Sequence, residues 1–386
     1  MPLNFKEKSD FQRIENPDTF TEKDKYYTAS QWQLVWTKFK KHRLAIVGMV
    51  ILLILYSTAI FAEFIAPYVP TDRREKFIFA PPQQIRFIDE EGRFHLRPFV
   101  YSLIADRDLR TLRRIYTLDT TQRHHLYFFV RGETYRLWGL FETSLKLFGV
   151  KEGTLFLMGT DNLGRDLFSR AVIGSQISLS IGLVGVFLGF IIGLIIGGIS
   201  GYFGGVIDNT IQRVIEFLIS VPTLPLWMSL SAAIPKGWPP LQVYFAITLV
   251  LSLVGWGGLA RVVRGKLLEL REEDYIMAAK VAGASEAKII TSHLIPGFIS
   301  YLIVSMTLSV PGMILGETAL SFLGLGLRPP TISWGVLLAD AQSLAVIAHS
   351  PWMMIPGLLV VLVVLSFNFV GDGLRDAADP YKQRGV

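Results

Sequence analysis

Residues 177–200 read ISLSIGLVGVFLGFIIGLIIGGIS, a run without a single charged side chain. A helix at the surface of a soluble core shows one apolar stripe, whereas this stretch is apolar around its whole circumference. It also exceeds the roughly 20 residues needed to cross the hydrocarbon core of a bilayer. The stretch predicts a membrane-spanning helix, and five comparable runs accompany it. Six spans are expected, at 44–66, 177–199, 214–233, 243–260, 298–320 and 353–370.

The composition agrees, with 51% hydrophobic residues and a mean hydropathy of +0.41, values of a polytopic membrane protein. The net charge of +6 does not point to nucleic acid, because the basic residues cluster beside the apolar runs, where they set orientation. Lys38, Lys40, Lys41 and Arg43 precede the first span and place the amino terminus in the cytoplasm. Six crossings return the carboxy terminus, with Arg375, Lys382 and Arg384, to the same side. The connection between spans four and five carries Arg261, Arg264, Lys266, Arg271, Lys280 and Lys288, whereas that between five and six has only Arg328. The amino-terminal segment is charged and has no early apolar region, so an uncleaved anchor is expected rather than a signal peptide. With no cysteine, disulfides, thiolate metal sites and cysteine nucleophiles are excluded.

The expected organisation is a cytoplasmic tail at 1–43, a first span at 44–66, an external insertion at 67–176, a five-helix core at 177–372 containing a cytoplasmic loop at 261–296, and a tail at 373–386. The insertion is too long and too patterned for a linker. Alternation in QQIRFID and RFHLRPFVY around Glu90-Glu91-Gly92, and in HHLYFFV and TYRLWGL around Arg131-Gly132-Glu133, predicts two β-hairpins. ADRDLRTLRRIY between them reads as a short helix, giving a small α+β domain on the outer face. Its length, aromatic content and side of the membrane suit contact with an external protein or guarding of an outer gate. His124 and His125 are too few for a metal site and read as exposed strand residues.

Gly182, Gly185, Gly189, Gly193, Gly197 and Gly198 recur at helical spacing in the second span, which suits close helix packing, with a glycine-lined path as the other reading. Pro222 and Pro225 in the third span and Pro311 in the fifth remove backbone donors, so they should kink or interrupt those helices and are placed beside a translocation pathway. Glu216, near Arg213, and Glu317 are intramembrane acids. Helix capping or interhelical pairing, substrate contact and proton coupling all fit them. Asp161, Arg165, Asp166 and Arg170 lie just outside the second span, at a spacing that suits an ion-pair network more than a catalytic carboxylate pair.

Residues 274–296 read DYIMAAKVAGASEAKIITSHLIP. They resemble the EAA motif of ABC importer permeases, E-A-A, three residues, G, nine residues, I-x-L-P. Ala278, Ala279, Gly283 and Pro296 match in register, while Met277, His293 and Ile295 stand at the Glu, Ile and Leu positions. GTDNLGRDLFSRAVIGSQISLSIG at 159–182, with Gly164 in its outer interfacial part, and ETALSFLGLG at 317–326, followed by Ser333-Trp334-Gly335, resemble the C-type permeases of oligopeptide and dipeptide importers. The resemblance covers about 159–380.

It implies an all-α polytopic fold of six transmembrane helices in the cytoplasmic membrane of a bacterium or archaeon. Asp274, Tyr275, Ala278, Ala279, Gly283, Ala284 and Pro296 would belong to a coupling loop seated on an ATP-binding subunit. The implied partners are a homologous B-type permease, two ATP-binding subunits carrying ATP and Mg, an extracytoplasmic substrate-binding protein and the lipid bilayer. No phosphate-binding G-x-x-x-x-G-K-[ST] loop occurs, so ATP hydrolysis is expected on separate chains and no catalytic or metal-binding residue is expected here. Peptides are the expected cargo, with oligosaccharides or nickel as alternatives, and an ion-coupled secondary transporter using Glu216 or Glu317 is the rival from another class.

Overall fold

The computed structural model describes residues 31–110 and 113–378. Most of the expected amino-terminal tail, and Lys382 and Arg384, lie outside the described residues. A short helix α1 (Gln31–Lys41) leads into α2 (Arg43–Ile60), where the His42 ring Nδ1 accepts the backbone N–H of Ala45 at 3.1 Å and caps the first turn. The remaining long helices are α3 (Leu167–Phe203), α4 (Gly205–Ser220), α5 (Thr223–Ala232), α6 (Pro240–Leu270), α7 (Asp274–Val281), α8 (Ile299–Phe322), α9 (Trp334–Ala339) and α10 (Ile355–Ala378). Five helices among the described residues are long and apolar enough to cross a membrane, and α4 with α5 makes a sixth where the bent pair is counted as one span.

The third expected span is thus corrected: it is two helices meeting at 90°. Pro222 is the cause, since its ring disfavours helical geometry in the residue before it and it has no N–H to continue the ladder. Val221 accordingly adopts φ −87°, ψ 130°, and Pro222 stands at the amino-terminal boundary of α5. Pro225 falls in the first turn of α5, where its missing donor is harmless. Pro311, by contrast, lies inside α8, which runs unbroken through it. Two other boundaries move outward. α3 begins ten residues before the expected span, and α6 continues through Arg261, Arg264 and Lys266 to Leu270.

The bundle is built on α3, whose glycines let neighbours reach its backbone. A Cβ on Gly182 would meet Ile314 of α8 at 2.7 Å, and one on Gly193 would meet the Trp256 carbonyl of α6 at 3.1 Å. On Gly197 it would lie 2.5 Å from the Ala260 carbonyl, and on Gly201, which the sequence reading passed over, 2.9 Å from Arg264 Cα. Gly198 faces open space. The ladder of small residues therefore serves packing against α6 and α8. Around it, Leu179, Ile181, Ile247, Leu251, Ile314, Leu320 and Trp334 form the buried core.

The insertion is a four-stranded antiparallel sheet in the order β1 (Arg86–Ile88), β2 (Phe94–Arg107), β3 (Arg114–Leu137), β4 (Phe141–Val150). The expected α+β domain is corrected to a β-sheet with a single 3₁₀ turn at Glu75–Phe77. The described residues of the segment read as a helix are the end of β2, turn residues 109–110 and the start of β3, with Arg107 paired to Arg114. Asp106 and Asp108 accept the N–H groups of Arg107 and Arg110, at 2.7 and 2.9 Å, local bonds that compete with a helix. The turn expected at Arg131-Gly132-Glu133 is instead an irregularity inside β3, and the chain reverses at residues 138–140, where Gly139 supplies φ 72°. His124 and His125 lie in β3 but are half-buried, the latter against the buried Phe99 ring.

Close packing at Gly197 and space at Gly198 make a paired prediction. Gly197→Ala should destabilise the detergent-solubilised protein by about 1–3 kcal/mol, the usual cost of overpacking. Gly198→Ala should be neutral or slightly stabilising, as a helical glycine is worth up to about 1 kcal/mol less than alanine. Thermal unfolding of the two variants side by side checks the difference.

Candidate functional site

At the end of the bundle away from the sheet, α6 stops at Leu270 and the chain turns into α7. Ile276 is fully buried there among Val263, Leu267, Ile289, Leu294, Phe298 and Leu302, an attachment worth about 1.5–3 kcal/mol by area burial. The other face of α7 is open: Tyr275, Met277 and Val281 are 46%, 48% and 89% exposed, and Asp274 and Ala278 are exposed beside them. Ala279 and Ala284 pack against the Ile276 cluster.

Gly283 ends α7 for a backbone reason. Its φ is 78°, its N–H donates to the Lys280 carbonyl at 3.0 Å, and the Ala284 N–H donates to Ala279 at 3.1 Å. This pair of bonds is a Schellman closure, which needs a left-handed residue in that place. No neighbour lies within 4 Å of a Cβ built on Gly283. Past it, Ser285 caps Glu286–Lys288, and a wide π turn, Ile289–Leu294, leads into Ile295–Gly297, which contains the exposed Pro296. Met277 leaves the acidic place of the motif uncharged.

Next to this surface is a feature the sequence reading missed. Arg264 of α6 makes a two-pronged contact with Asp208 in the first turn of α4. Ser200 of α3 donates to Asp208 Oδ1 at 2.6 Å, and Gln212 donates to Ser200 at 3.1 Å. Three helices are thereby tied where α6 leaves for α7. The only signal in the sequence is a lone acid after a Gly-Gly break, 56 residues from its partner.

At the sheet end, the structure gathers Asp161, Arg165 and Arg170 and adds Asp340. Asp161 is fully buried; it accepts the N–H groups of Leu163 and Arg165 at 2.8 and 2.9 Å, Arg165 Nε at 2.7 Å, and the Arg170 guanidinium. Asp340 faces Arg165 at 3.6 Å and Arg170 at 3.4 Å. With both Asp161 oxygens taken by cations and N–H donors, this carboxylate holds the geometry of the segment before α3. Asp166 stands apart and caps α3 through the Ser169 N–H at 2.8 Å. Burial pushes its carboxyl up to about 6, against the opposing pull of its Ser169 bonds. Gly164 (φ 72°) lets Arg74 approach, since a Cβ there would strike the Arg74 carbonyl at 2.1 Å.

Glu317 is buried in a hydroxyl lock. It accepts from Ser321 at 2.8 Å and Ser333 at 2.7 Å, while Ser333 caps α9 and Trp334 Nε1 donates to the Ala171 carbonyl at 2.9 Å. Glu216 instead lies exposed, paired with Arg213 at 2.6 Å. A cavity of about 140 Å³ opens between the end of α5, the start of α6 and the loop after α8, lined by Ser231, Lys236, Trp238 and Arg328. Pro222, Pro311 and Glu317 are not among its walls.

Residues 30–82 match the family described as the N-terminal TM domain of oligopeptide transport permease C. The chain is 39% identical to an oligopeptide transport system permease protein of Bacillus subtilis over 223 residues, 58% of this chain and 70% of that protein. It is 43% identical to the corresponding Haemophilus influenzae protein over 58% of this chain and 69% of that one. A solved structure of the MetNI methionine ABC transporter, inward facing, aligns with 54% of this chain and 95% of its own, at 23% identity and a TM-score of 0.43. Residues 163–383, which hold α3 to α10 and the α7 surface, match the family described as the binding-protein-dependent transport system inner membrane component. The chain belongs to that family of ABC permease subunits.

Proposed function

We propose that this chain is the C-type permease of an ATP-driven peptide importer, and that α7 is where a separate ATP-binding subunit docks. The observation that carries this is the two-sidedness of α7: Ile276 fixes it to α6 and α8, while Tyr275, Met277 and Val281 stand exposed in a motif position. Relatives named as oligopeptide and dipeptide permeases support peptides as the cargo. A second, homologous permease completes the path, and a substrate-binding protein delivers peptide on the sheet side. ATP and Mg are bound by the two ATP-binding subunits.

Orientation follows from charge. Lys38, Lys40, Lys41 and Arg43 before α2, Arg261, Arg264, Lys266, Arg271, Lys280 and Lys288 around α7, and Arg375 at the end of α10 lie at one end of the bundle. That end faces the cytoplasm. Closure of the ATP-binding subunits would push α7, and the Ile276 cluster would pass the push to α6 and α8. Through Arg264 and Asp208 it would reach α4 and the bent crossing, switching the path between inward- and outward-open states.

Two substitutions separate docking from transmission. Gly283→Asp puts a side chain on a left-handed backbone, at a cost of up to about 1 kcal/mol for aspartate, and adds charge to the docking face. Co-purification of ATP-binding subunits should fall about tenfold, a loss of roughly 1.4 kcal/mol, with the permease still present in the membrane. Retained co-purification, or uptake by this chain without any ATPase, would sink the reading. Asp208→Asn should leave docking intact but lower peptide uptake per ATP hydrolysed, because Arg264 loses its anion. Uptake and hydrolysis measured in the same proteoliposomes check this, and an unchanged ratio would remove Asp208 from the transmission path.

A further inference from the structure

The β3–β4 hairpin ends in an apolar tip that has no core beneath it. Trp138, Leu140 and Phe141 are 49%, 76% and 60% exposed, and no charge occurs between Arg136 and Glu142, which pair across the strands. The reversal uses two successive residues with positive φ, Trp138 at 54° and Gly139 at 72°. Hairpin turns usually fill such places with Asn and Gly, because a bulky side chain disfavours that backbone. Phe129, on the same hairpin, is also held at φ 54°.

Both strained aromatics touch the end of α2 or the segment just beyond it. Trp138 Nε1 donates to the Ile60 carbonyl at 2.7 Å, and its ring centroid lies 5.8 Å from that of Phe61. The Phe129 ring lies 6.3 Å from Phe64. Lys146 of β4 braces the same segment by donating to the Glu63 carbonyl at 2.8 Å. The hairpin is therefore pinned, along its length, to the place where a membrane-spanning helix ends. On that helix Leu53, Ile54 and Ile60 are 58%, 60% and 53% exposed, so the apolar surface of the tip continues an open apolar side of α2.

We propose that residues 138–141 form a membrane-interface anchor, with Trp138, Leu140 and Phe141 seated among the phospholipid headgroups and upper acyl chains of the leaflet on the sheet side. The chemistry suits that surface: an indole with its N–H satisfied, two apolar neighbours and no local charge belong to the zone where Trp concentrates in membrane proteins. The continuity with α2 selects lipid over a protein partner. The anchor ties the sheet to α2 and fixes its height above the bilayer. All four strands lie outside the two family matches, which cover residues 30–82 and 163–383, so the device belongs to this chain's own insertion.

The absence of cysteine from the chain makes the test direct. Leu140→Cys is labelled with an environment-sensitive fluorophore in the assembled transporter in phospholipid nanodiscs, with partner subunits freed of cysteine. Expected are blue-shifted emission, quenching by lipids spin-labelled near the headgroup, and shielding from iodide in the buffer. Iodide quenching without lipid quenching would put the tip in water, and shielding from both quenchers would put it against protein; either result overturns the proposal. Phe141→Cys reads the same tip should Leu140→Cys fail to assemble.

Discussion

The membrane domain depends on backbone contact between α3 and α6. At Gly197 the Ala260 carbonyl occupies the space a side chain would need, and at Gly201 Arg264 Cα does so. In lipid, burial of apolar groups gives no preference for a helix neighbour over an acyl chain, so close packing and interhelical bonds must hold the bundle. The Ser252 hydroxyl adds such a bond, donating to the Gly185 carbonyl at 2.9 Å. With α3 and α6 in register, Arg264 faces Asp208, α8 packs on Gly182, and the helix that launches α7 is fixed in direction.

The spans were legible because their signal is intrinsic: twenty or so apolar residues in water have no other stable placement. The α7 motif was legible through its small residues and the left-handed Gly283. Less was legible where the answer depends on partners distant in sequence. Asp208 and Arg264 find each other only after α3 and α6 have packed, and neither residue type announces a pair. In the insertion, the turn was placed at Gly132 because glycine punctuates turns, yet Gly132 sits in strand conformation beside Lys146 and Gly139 makes the reversal. Alternation identified strands well and turns poorly, since the two glycines differ only in what surrounds them.

The two ends of the bundle solve opposite problems. At the sheet end, Asp161, Arg165, Arg170 and Asp340 form a buried cluster of opposite charges, and Glu317 accepts from Ser321 and Ser333. Breaking one member of such a set strands its partner in a low-dielectric place, so the set resists rearrangement. At the opposite end, α7 has one buried anchor and an open face. In the proposed coupling role, a push applied there would act on a helix held by one apolar anchor, Ile276.

Exposure therefore separates two classes of motif that look alike as strings. GTDNLGRD and ETALSFLGLG are long and specific, but their acids Asp161, Asp166 and Glu317 are buried and each is bonded within this chain. The α7 motif is shorter and departs from its pattern at Met277, yet its residues remain open. A side chain whose bonds are complete has nothing left to offer a partner, while an apolar surface left in water has free energy to gain by being covered. By that criterion the sheet-end motifs hold the permease together. The exposed surface formed by Tyr275, Met277 and Val281 is the one still open to a partner, which is what the proposed docking requires.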